Sequence, residues 1–249
     1  MISLKTPEEI ETIARAGAII AELYRELPAR ATPGTSTRDL DRFAESFIRD
    51  HAGAEPAFKG LYGFPATLCT SINHEVVHGI PADRRKLVAG DVISIDCGVK
   101  LDGFYADAAI TVPVGQISPE VERLLAVTRA ALESGIEQAR PGKRLGDIGA
   151  AIQAHAIEAG YGIVRDLVGH GIGREPHEEP QVPNYGKAGK GMPLEVGLVL
   201  AIEPMFNLGT PDVRTLPDRW TVVTADRAVS AHFEHTVAVT PEGPRVLTR

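Results

Sequence analysis

The sequence predicts an α+β protein built from two similar halves. Each half opens with two helices separated by a Pro-Gly pair, continues into strands rich in Val, Ile and Phe, and carries acidic residues inside those strands. The halves keep a nearly constant offset, since Asp147 follows Asp39 by 108 residues. We therefore expect one domain over residues 1–249, with pseudo-symmetric repeats at about 6–112 and 118–240 and a site between them. Two unrelated αβ segments are the alternative interpretation.

Residues typical of helix starts and helix breaks predict where the helices lie. The first start, Thr6-Pro7-Glu8-Glu9, has an N-cap residue, a Pro at the first helical position and an acidic residue at the third. Apolar residues at helical spacing follow each start. The predicted helices run from Thr6 to the break at Pro33-Gly34, from about Ser36 to near Gly53, from Ser118 to the break at Pro141-Gly142, and from there to near Gly160.

A predicted hairpin in the first half carries two acidic residues. Strand alternation over residues 91–99 and 104–112, joined by the turn signal Asp102-Gly103, brings Asp96 and Asp107 close together on neighbouring strands. Two such carboxylates should repel each other. A solvated face is the simpler interpretation, but the flanking residues are mostly apolar or small, which indicates incomplete solvation.

The second half repeats this feature. Glu203, which follows Asp96 by 107 residues, interrupts the apolar run 198–204, and Glu234 interrupts the run 231–239. A buried unpaired carboxylate is costly, and the four strand cores contain no Arg or Lys. Two divalent cations would balance the four negative charges, so the residues themselves indicate a dimetal site.

A histidine is the expected fifth ligand. His170 lies in Val168-Gly-His-Gly-Ile-Gly173, where the flanking glycines allow close backbone approach and leave the ring unobstructed in a polar loop. A single histidine is usually structural, but this setting favours a functional one. Mostly oxygen ligands with one imidazole suit Mn, Fe, Co or Zn, with the two ions about 3.5–4 Å apart.

The composition argues against nucleic-acid-binding, disulfide-rich and membrane-spanning proteins. The 249 residues carry a formal net charge of −7 with a pI of about 5.6, which does not predict nucleic-acid binding through a global basic field. Two cysteines are too few for a disulfide scaffold and suit a reducing compartment. Neither a signal peptide nor an apolar run of the roughly 18 residues needed for a membrane span is visible. We expect a cytoplasmic protein.

Seven motifs together resemble those of the type I methionine aminopeptidases, which remove the initiator Met from new chains. The resemblance spans essentially the whole sequence and implies the pita-bread fold, a pseudo-symmetric α+β architecture around a dimetal site between curved antiparallel strands. The motifs are Asn73-His-Glu-Val-Val-His-Gly-Ile-Pro81, Ser94-Ile-Asp-Cys-Gly98, Asp102-Gly-Phe-Tyr-Ala-Asp107, Gly169-His-Gly-Ile-Gly173, His177-Glu-Glu-Pro180, Ile202-Glu-Pro204 and Phe233-Glu-His235.

The resemblance also implies which residue would bind which of the two ions. Asp96 would chelate one ion, His170 and Glu203 would hold the other, and Asp107 and Glu234 would bridge them. Glu203 would also help to move the proton of the attacking water.

Substrate contacts follow from the same resemblance. His177 would stabilise the oxyanion, and His78 would contact the scissile amide. The substrate's free amine would meet a metal, which restricts the enzyme to nascent polypeptide N-termini, here with a small second residue. The expected Met pocket consists of Phe58, Leu61, Phe64, Cys69 and Trp220, together with His78 and His177. Trp220 could instead belong to the core.

Two positions depart from the family pattern. Leu61 stands where relatives often have Tyr, and Pro176 precedes His177 where an aromatic residue is common. Both concern the pocket wall, so they affect the substrate preference and not the expected reaction. We expect a monomer whose substrates are nascent chains, and the sequence leaves open a transient contact with the ribosome.

Parts of the sequence also fit three other functions. His74-Glu-Val-Val-His78 satisfies the H-E-x-x-H zinc motif, which works only on a helix; two Val residues and Gly79-Ile-Pro81 disfavour one. Prolidases and aminopeptidases P share the metal set but resemble this chain only in the C-terminal half of a longer one. A catalytically inactive binding module would have lost metal ligands, whereas all five positions are intact.

Overall fold

The computed structural model describes residues 2–249 and confirms the predicted helices. Thr6 forms a capping box with Glu9 at the start of the first, and Ser36 forms one with Asp39 at the start of the second. The second helix ends before Gly53 because a strand already opens at Ala54. The bounds are Pro7–Arg30 (α1), Thr37–Arg49 (α2), Pro119–Gln138 (α3) and Leu145–Ala159 (α4).

The strands are more numerous than the sequence patterns indicate. The two hairpin strands have the predicted length or slightly more, whereas the predicted runs 198–204 and 231–239 are shortened or divided. Their bounds are Ala54–Pro56 (β1), Leu68–Ile72 (β2), Glu75–Val77 (β3), Val92–Leu101 (β4), Phe104–Pro113 (β5), Gly162–Ile163 (β6), Gly169–Gly171 (β7), Glu178–Val182 (β8), Val199–Ile202 (β9), Met205–Asn207 (β10), Val213–Thr215 (β11), Val222–Thr224 (β12), Ser230–His232 (β13), Glu234–Thr240 (β14) and Gly243–Val246 (β15).

A curled antiparallel sheet of nine strands forms the centre of the molecule. Its order is β1-β4-β5-β14-β9-β7-β8, with β2 beside β4 and β15 beside β14. The predicted hairpin is present, since β4 and β5 pair without interruption from Val92–Pro113 to Leu101–Phe104. The two halves meet where β5 pairs with β14, at Ala109 opposite Glu234. Two three-stranded sheets, β13-β10-β6 and β11-β12-β3, lie beside it.

Helices of each half cover the sheet strands of the same half. One large hydrophobic cluster joins α1 and α2 to β4 and β5, and another joins α3 and α4 to β9 and β14. Small features also recur at the predicted offset. An isolated bridge pairs Ser36 with Lys86 in the first half, and another pairs Arg144 with Pro193 in the second. This recurrence fits the expected repeats at 6–112 and 118–240, which stay a prediction.

The structure corrects three local predictions. Glu203 is not inside a strand but directly follows β9, because Pro204 lacks the N–H that would continue the ladder. The run 231–239 is two strands in different sheets, separated at Phe233. His170 lies on β7 and not in a loop. Within residues 2–249, no helix combines the length and apolarity needed to cross a membrane.

Candidate active site

Neighbouring strands of the large sheet bring the five predicted ligands together. Asp96 on β4 lies opposite Ala109 of β5, and Asp107 lies opposite Gly98, so the two carboxylates are diagonal neighbours on one face. On the other side of Ala109, Glu234 opens β14. His170 on β7 pairs with Ala201 of β9, two residues before Glu203. All five side chains line one cavity.

Glycines allow His170 to reach this position. A side chain at Gly169 would place its Cβ 2.2 Å from the Ala201 carbonyl oxygen, and one at Gly171 would come within 2.3 Å of the Glu179 carbonyl oxygen. Only glycine therefore permits β7 to fit between β8 and β9. The Nδ1 of His170 lies 2.9 Å from the Gly171 carbonyl, which can only accept a hydrogen bond. Nδ1 therefore carries the proton and Nε2 is left as the ligand atom.

The side chains present fit a divalent ion. One ligand atom each from Asp107, His170 and Glu234 lie within 4.8 Å of one another, and His170 Nε2 lies 3.7 Å from Glu203 Oε1. Over the described part of the chain, the buried Oδ1 atoms of Asp96 and Asp107 have no hydrogen-bond partner. Because buried polar atoms are normally paired, these unpaired oxygens fit a site that could hold a cation.

The electrostatics of the ligands support the same conclusion. Burial raises the pKa of Asp107 to about 7, aided by the charge of Glu203. Burial also raises the pKa of Glu203 to about 7, opposed by His170. The pKa values of Asp96 and Glu234 are raised well above their ordinary range by burial and then by the charge of Asp107. A bound cation would reverse these shifts, because it favours the ionised carboxylates.

Two further histidines stand at the edge of the ligand cluster. His177 is exposed and lies just before β8, with its ring centroid 4.5 Å from that of His170. His78 follows β3 with a left-handed backbone (φ 61°). Burial lowers the pKa of His78 to about 4 and also lowers the pKa of His177. Both rings are therefore neutral near pH 7 and can donate hydrogen bonds without carrying charge.

The cavity as a whole has a volume of about 330 Å³, and its remaining lining is mostly apolar. All of the predicted pocket residues line it, including Leu61 and the half-buried Trp220, which is thus in the cavity wall. The edge of Trp220 faces Phe64, with ring centroids 5.1 Å apart. Pro176 is buried but is not part of the lining. The other lining residues are Phe58, Tyr62, Cys69, Val77, Leu167 and Val168.

Sequence reasoning missed two residues of this region. Tyr62, exposed and left-handed (φ 50°), stacks its ring 6.1 Å from that of His177. Its position between Gly60 and Gly63 was the available signal, since glycines often flank strained loops. His232 lies 3.6 Å from Glu203 and is almost completely buried. No signal in the sequence marked it, because a neutral imidazole in an apolar run creates no charge imbalance.

The H-E-x-x-H segment does not form a zinc motif. Residues Glu75–Val77 are a strand, so His74 and His78 do not share a helical face. Glu75 is ion-paired with Arg85 and accepts a hydrogen bond from the Ile72 N–H at 2.8 Å. Of the two histidines, His78 lines the described cavity and His74 does not.

Curated relatives match over the full length of the chain. A methionine aminopeptidase of Clostridium perfringens is 52% identical, covering 100% of this chain and 99% of the relative. Methionine aminopeptidase 1 of Bacillus subtilis is 49% identical, with complete coverage of both.

Solved structures confirm the expected pita-bread fold. A methionine aminopeptidase structure from Thermotoga maritima superimposes with a TM-score of 0.98 at 42% identity and covers all of both chains. A prolidase from Pyrococcus horikoshii matches with a TM-score of 0.80 over 99% of this chain and 63% of its own. At 22% identity, this second likeness shows the fold alone.

The model of metallopeptidase family M24 matches residues 11–241. This match covers the cluster of Asp107, His170 and Glu234 that could hold a divalent metal ion. With the full-length relatives above, it shows that the chain belongs to metallopeptidase family M24 and is a metal-dependent hydrolase.

Proposed function

We propose that this protein is a dimetal methionine aminopeptidase that removes the initiator Met from nascent chains with a small second residue. The observation that carries the proposal is the convergence of four carboxylates and His170 beside an apolar pocket. The relatives are named methionine aminopeptidases at about half identity over their full lengths, which supports the same activity.

We assign two divalent ions to the five ligands. Asp96 would hold one ion, His170 and Glu203 would hold the other, and Asp107 and Glu234 would contribute to both. The argument for two is charge. The segments 91–99, 104–112, 198–204 and 231–239, which carry the four largely buried carboxylates, contain no Lys or Arg, so about four positive charges are required. The mixed oxygen and imidazole set suits Mn, Fe, Co or Zn.

When bound, the ions supply Lewis-acid activation of the scissile carbonyl and of water. Glu203 accepts the proton that the attacking water loses and passes it to the leaving amine. The imidazole of His177 donates a hydrogen bond to the developing oxyanion. His78, whose ring centroid lies 6.5 Å from that of Trp220, orients the scissile amide.

The pocket accounts for Met specificity. Phe64 and Trp220 form an aromatic wall, and Phe58, Leu61 and Cys69 add apolar surface. A thioether makes favourable contacts with aromatic rings, of about 0.3–1.5 kcal/mol each. Leu61 offers no hydroxyl, so it contacts the Met side chain of the substrate only through shape and apolar surface.

Activity of the reconstituted protein tests this proposal. The metal-free protein receives Mn, Fe, Co or Zn and is given Met-Ala-Ser, Leu-Ala-Ser and N-acetyl-Met-Ala-Ser. We expect release of Met from the first peptide only when a metal is present, slower release of Leu, and no cleavage of the acetylated peptide. Preferential cleavage of a Leu-Pro dipeptide would instead indicate a prolidase. Absence of Met release with all four metals would refute the proposal.

We further propose that nascent polypeptide N-termini are the partners, that the protein is monomeric and cytoplasmic, and that any ribosome contact is transient. The net charge of −7 gives no global attraction to nucleic acid. Sedimentation of the purified protein should give a single species of 26.6 kDa. A stable dimer would contradict the monomer.

A further inference from the structure

His232 is a buried imidazole without a role in the mechanism above. It is the last residue of β13 and is 1% exposed. Counting all residues from 2 to 249, neither of its ring nitrogens has a hydrogen-bond partner. Leaving a buried polar group unpaired costs about 1–3 kcal/mol, so its presence beside a reaction centre calls for a function.

Hydrogen bonds to the backbone fix the base of this side chain. The Thr111 hydroxyl accepts from the His232 N–H at 2.9 Å and donates to the His232 carbonyl at 2.8 Å. The Ser94 hydroxyl lies 2.8 Å from that of Thr111 and donates to it. Ser94 and Thr111 lie on β4 and β5, the strands of Asp96 and Asp107. The backbone that carries the imidazole is therefore anchored to the two strands that carry these residues.

The ring is directed at Glu203. Its Nε2 lies 3.6 Å from Glu203 Oε2, while the other carboxylate oxygen, Oε1, lies 3.7 Å from His170 Nε2. Each oxygen of Glu203 thus has one imidazole beside it. The Glu203 side chain is only 13% exposed, so water contributes little to its orientation. A small rotation brings the His232 contact into the usual hydrogen-bond range of about 2.7–3.2 Å.

We propose that His232 is a positioning residue that donates its Nε2–H to Oε2 of Glu203 and so holds Oε1 toward His170 and the cavity. His232 is outside the cavity lining and does not touch the substrate. The proposal rests on the assigned role of Glu203 as ligand and proton carrier. Loss of groups that orient metal ligands typically costs about 10–100-fold in metal affinity or activity.

Two substitutions separate positioning from packing. His232→Leu removes the donor and keeps apolar volume, whereas His232→Gln keeps an N–H donor on a side chain of similar reach. We expect His232→Leu to lower kcat for Met-Ala-Ser about 10–100-fold with little change in KM. His232→Gln should recover most of the activity. His155→Leu is the matched control, because His155 is bonded to Ser134 between α3 and α4.

Metal titration provides a readout that does not depend on activity. In calorimetric titrations with Mn(II), His232→Leu should weaken one of the two binding steps about 10–100-fold and leave the other unchanged. His232→Gln and His155→Leu should titrate like the wild type. If His232→Leu does not fold, as judged by thermal unfolding, His232→Met replaces it as the variant without a donor.

Wild-type kcat and metal affinities in the apolar variant would overturn the proposal. So would a Gln variant as impaired as the Leu variant, because only volume would then matter. A wild-type protein that binds Mn(II) but releases no Met would refute the proposed function. In that case the titrations would still decide whether His232 orients Glu203.

Discussion

Glu203 is the residue on which the proposed chemistry depends most. It follows β9, lies between two imidazoles, and has a pKa raised to about 7 by burial. A carboxyl group with a pKa near the working pH is suited to both accepting and returning a proton. The same carboxylate is also a proposed metal ligand, so its two roles must be separated by experiment.

Glu203→Gln should nearly abolish turnover while the protein stays folded, because Gln keeps the shape and loses the charge and basicity. The expected loss in kcat is about 10²–10⁴-fold, with some loss of bound metal. Turnover of Met-Ala-Ser and metal content are measured on the same preparation. More than about a tenth of wild-type turnover would exclude Glu203 from proton transfer.

Trp220→Ala should raise KM for Met peptides and reduce the preference for Met over Leu, because it removes one wall of the pocket. Discrimination by an apolar pocket amounts to about 1–3 kcal/mol, so the Met/Leu ratio should fall by about 10-fold or more. Tyr161→Ala, which removes a half-buried ring outside the cavity lining, serves as the control. An unchanged Met/Leu ratio would show that Trp220 has only a structural role.

Charge decided which site residues could be predicted from the sequence. Asp96, Glu203 and Glu234 interrupt apolar runs, and a carboxylate in such a run demands a partner. His232 also interrupts an apolar run, but a neutral imidazole creates no comparable charge imbalance. The sequence therefore does not distinguish His232 from His235. In the structure, Nδ1 of His235 is hydrogen-bonded to the Thr248 hydroxyl at 2.8 Å.

Among the elements, β3 and the turn after it determine where His78 points. Glu75 joins this strand to Arg85, and Arg85 also donates to the Ile80 carbonyl at 2.7 Å. Gly79 is required between them, because a Cβ there would lie 2.1 Å from the Thr70 carbonyl oxygen. The ion pair thus stabilises the turn that carries His78.

Alanine substitutions in this segment should have three different effects. His78→Ala should lose activity and keep both metals, since the proposed role of His78 is to contact the substrate and not the ions. His74→Ala should stay within a few-fold of the wild type. Glu75→Ala should lower the free energy of unfolding by about 1–3 kcal/mol, because it leaves Arg85 largely buried and unpaired.

Turnover, bound metal and urea unfolding of the three purified variants check this prediction. Metal loss in His74→Ala would contradict it. A stable but inactive Glu75→Ala that keeps a wild-type turn would also contradict it, since Glu75 would then act in the chemistry itself.

Element length decided how much of the fold could be predicted. The helices carry their own start and stop signals, such as the capping box of Thr6 and Glu9, and the β4–β5 hairpin carries its turn signal at Asp102-Gly103. Strands of two or three residues, such as β6 and β7, are too short to show alternation. Their positions depend on close backbone contacts, which only the folded chain reveals.

At the scale of the whole molecule, the site lies where the two halves join. The β5–β14 pairing closes the sheet between them, and each half supplies two of the four carboxylates. Thr236 reinforces this contact, accepting from the Asp107 N–H at 2.9 Å and donating to the Asp107 carbonyl at 2.7 Å. Without ions, the shared site concentrates negative charge inside the fold.

The stability of the metal-free protein should therefore fall as pH rises above about 6.5. The pKa values of Asp107 and Glu203 are raised to about 7, and those of Asp96 and Glu234 are also raised well above their ordinary range. The folded state therefore binds more protons than the unfolded state. Stability then decreases with pH. Buried histidines oppose this trend only below about 6.5, where unfolded histidine becomes protonated.

Unfolding in urea between pH 6.5 and 8.5 measures this dependence. With EDTA, the free energy of unfolding should fall by about 1 kcal/mol or more per pH unit. With saturating Mn(II) the dependence should vanish or reverse, because deprotonated ligands bind metal more tightly. A metal-free protein that is as stable at pH 8.5 as at 6.5 would contradict the buried carboxyl cluster.

A crystal structure of the Mn(II)-loaded protein, with manganese located by anomalous scattering, tests the central claim most directly. We predict two peaks about 3.5–4 Å apart. Asp107 and Glu234 should bridge them, with Asp96 on one ion and His170 and Glu203 on the other. A single ion, or an ion bound by His74 and His78 instead of these five residues, would contradict the account.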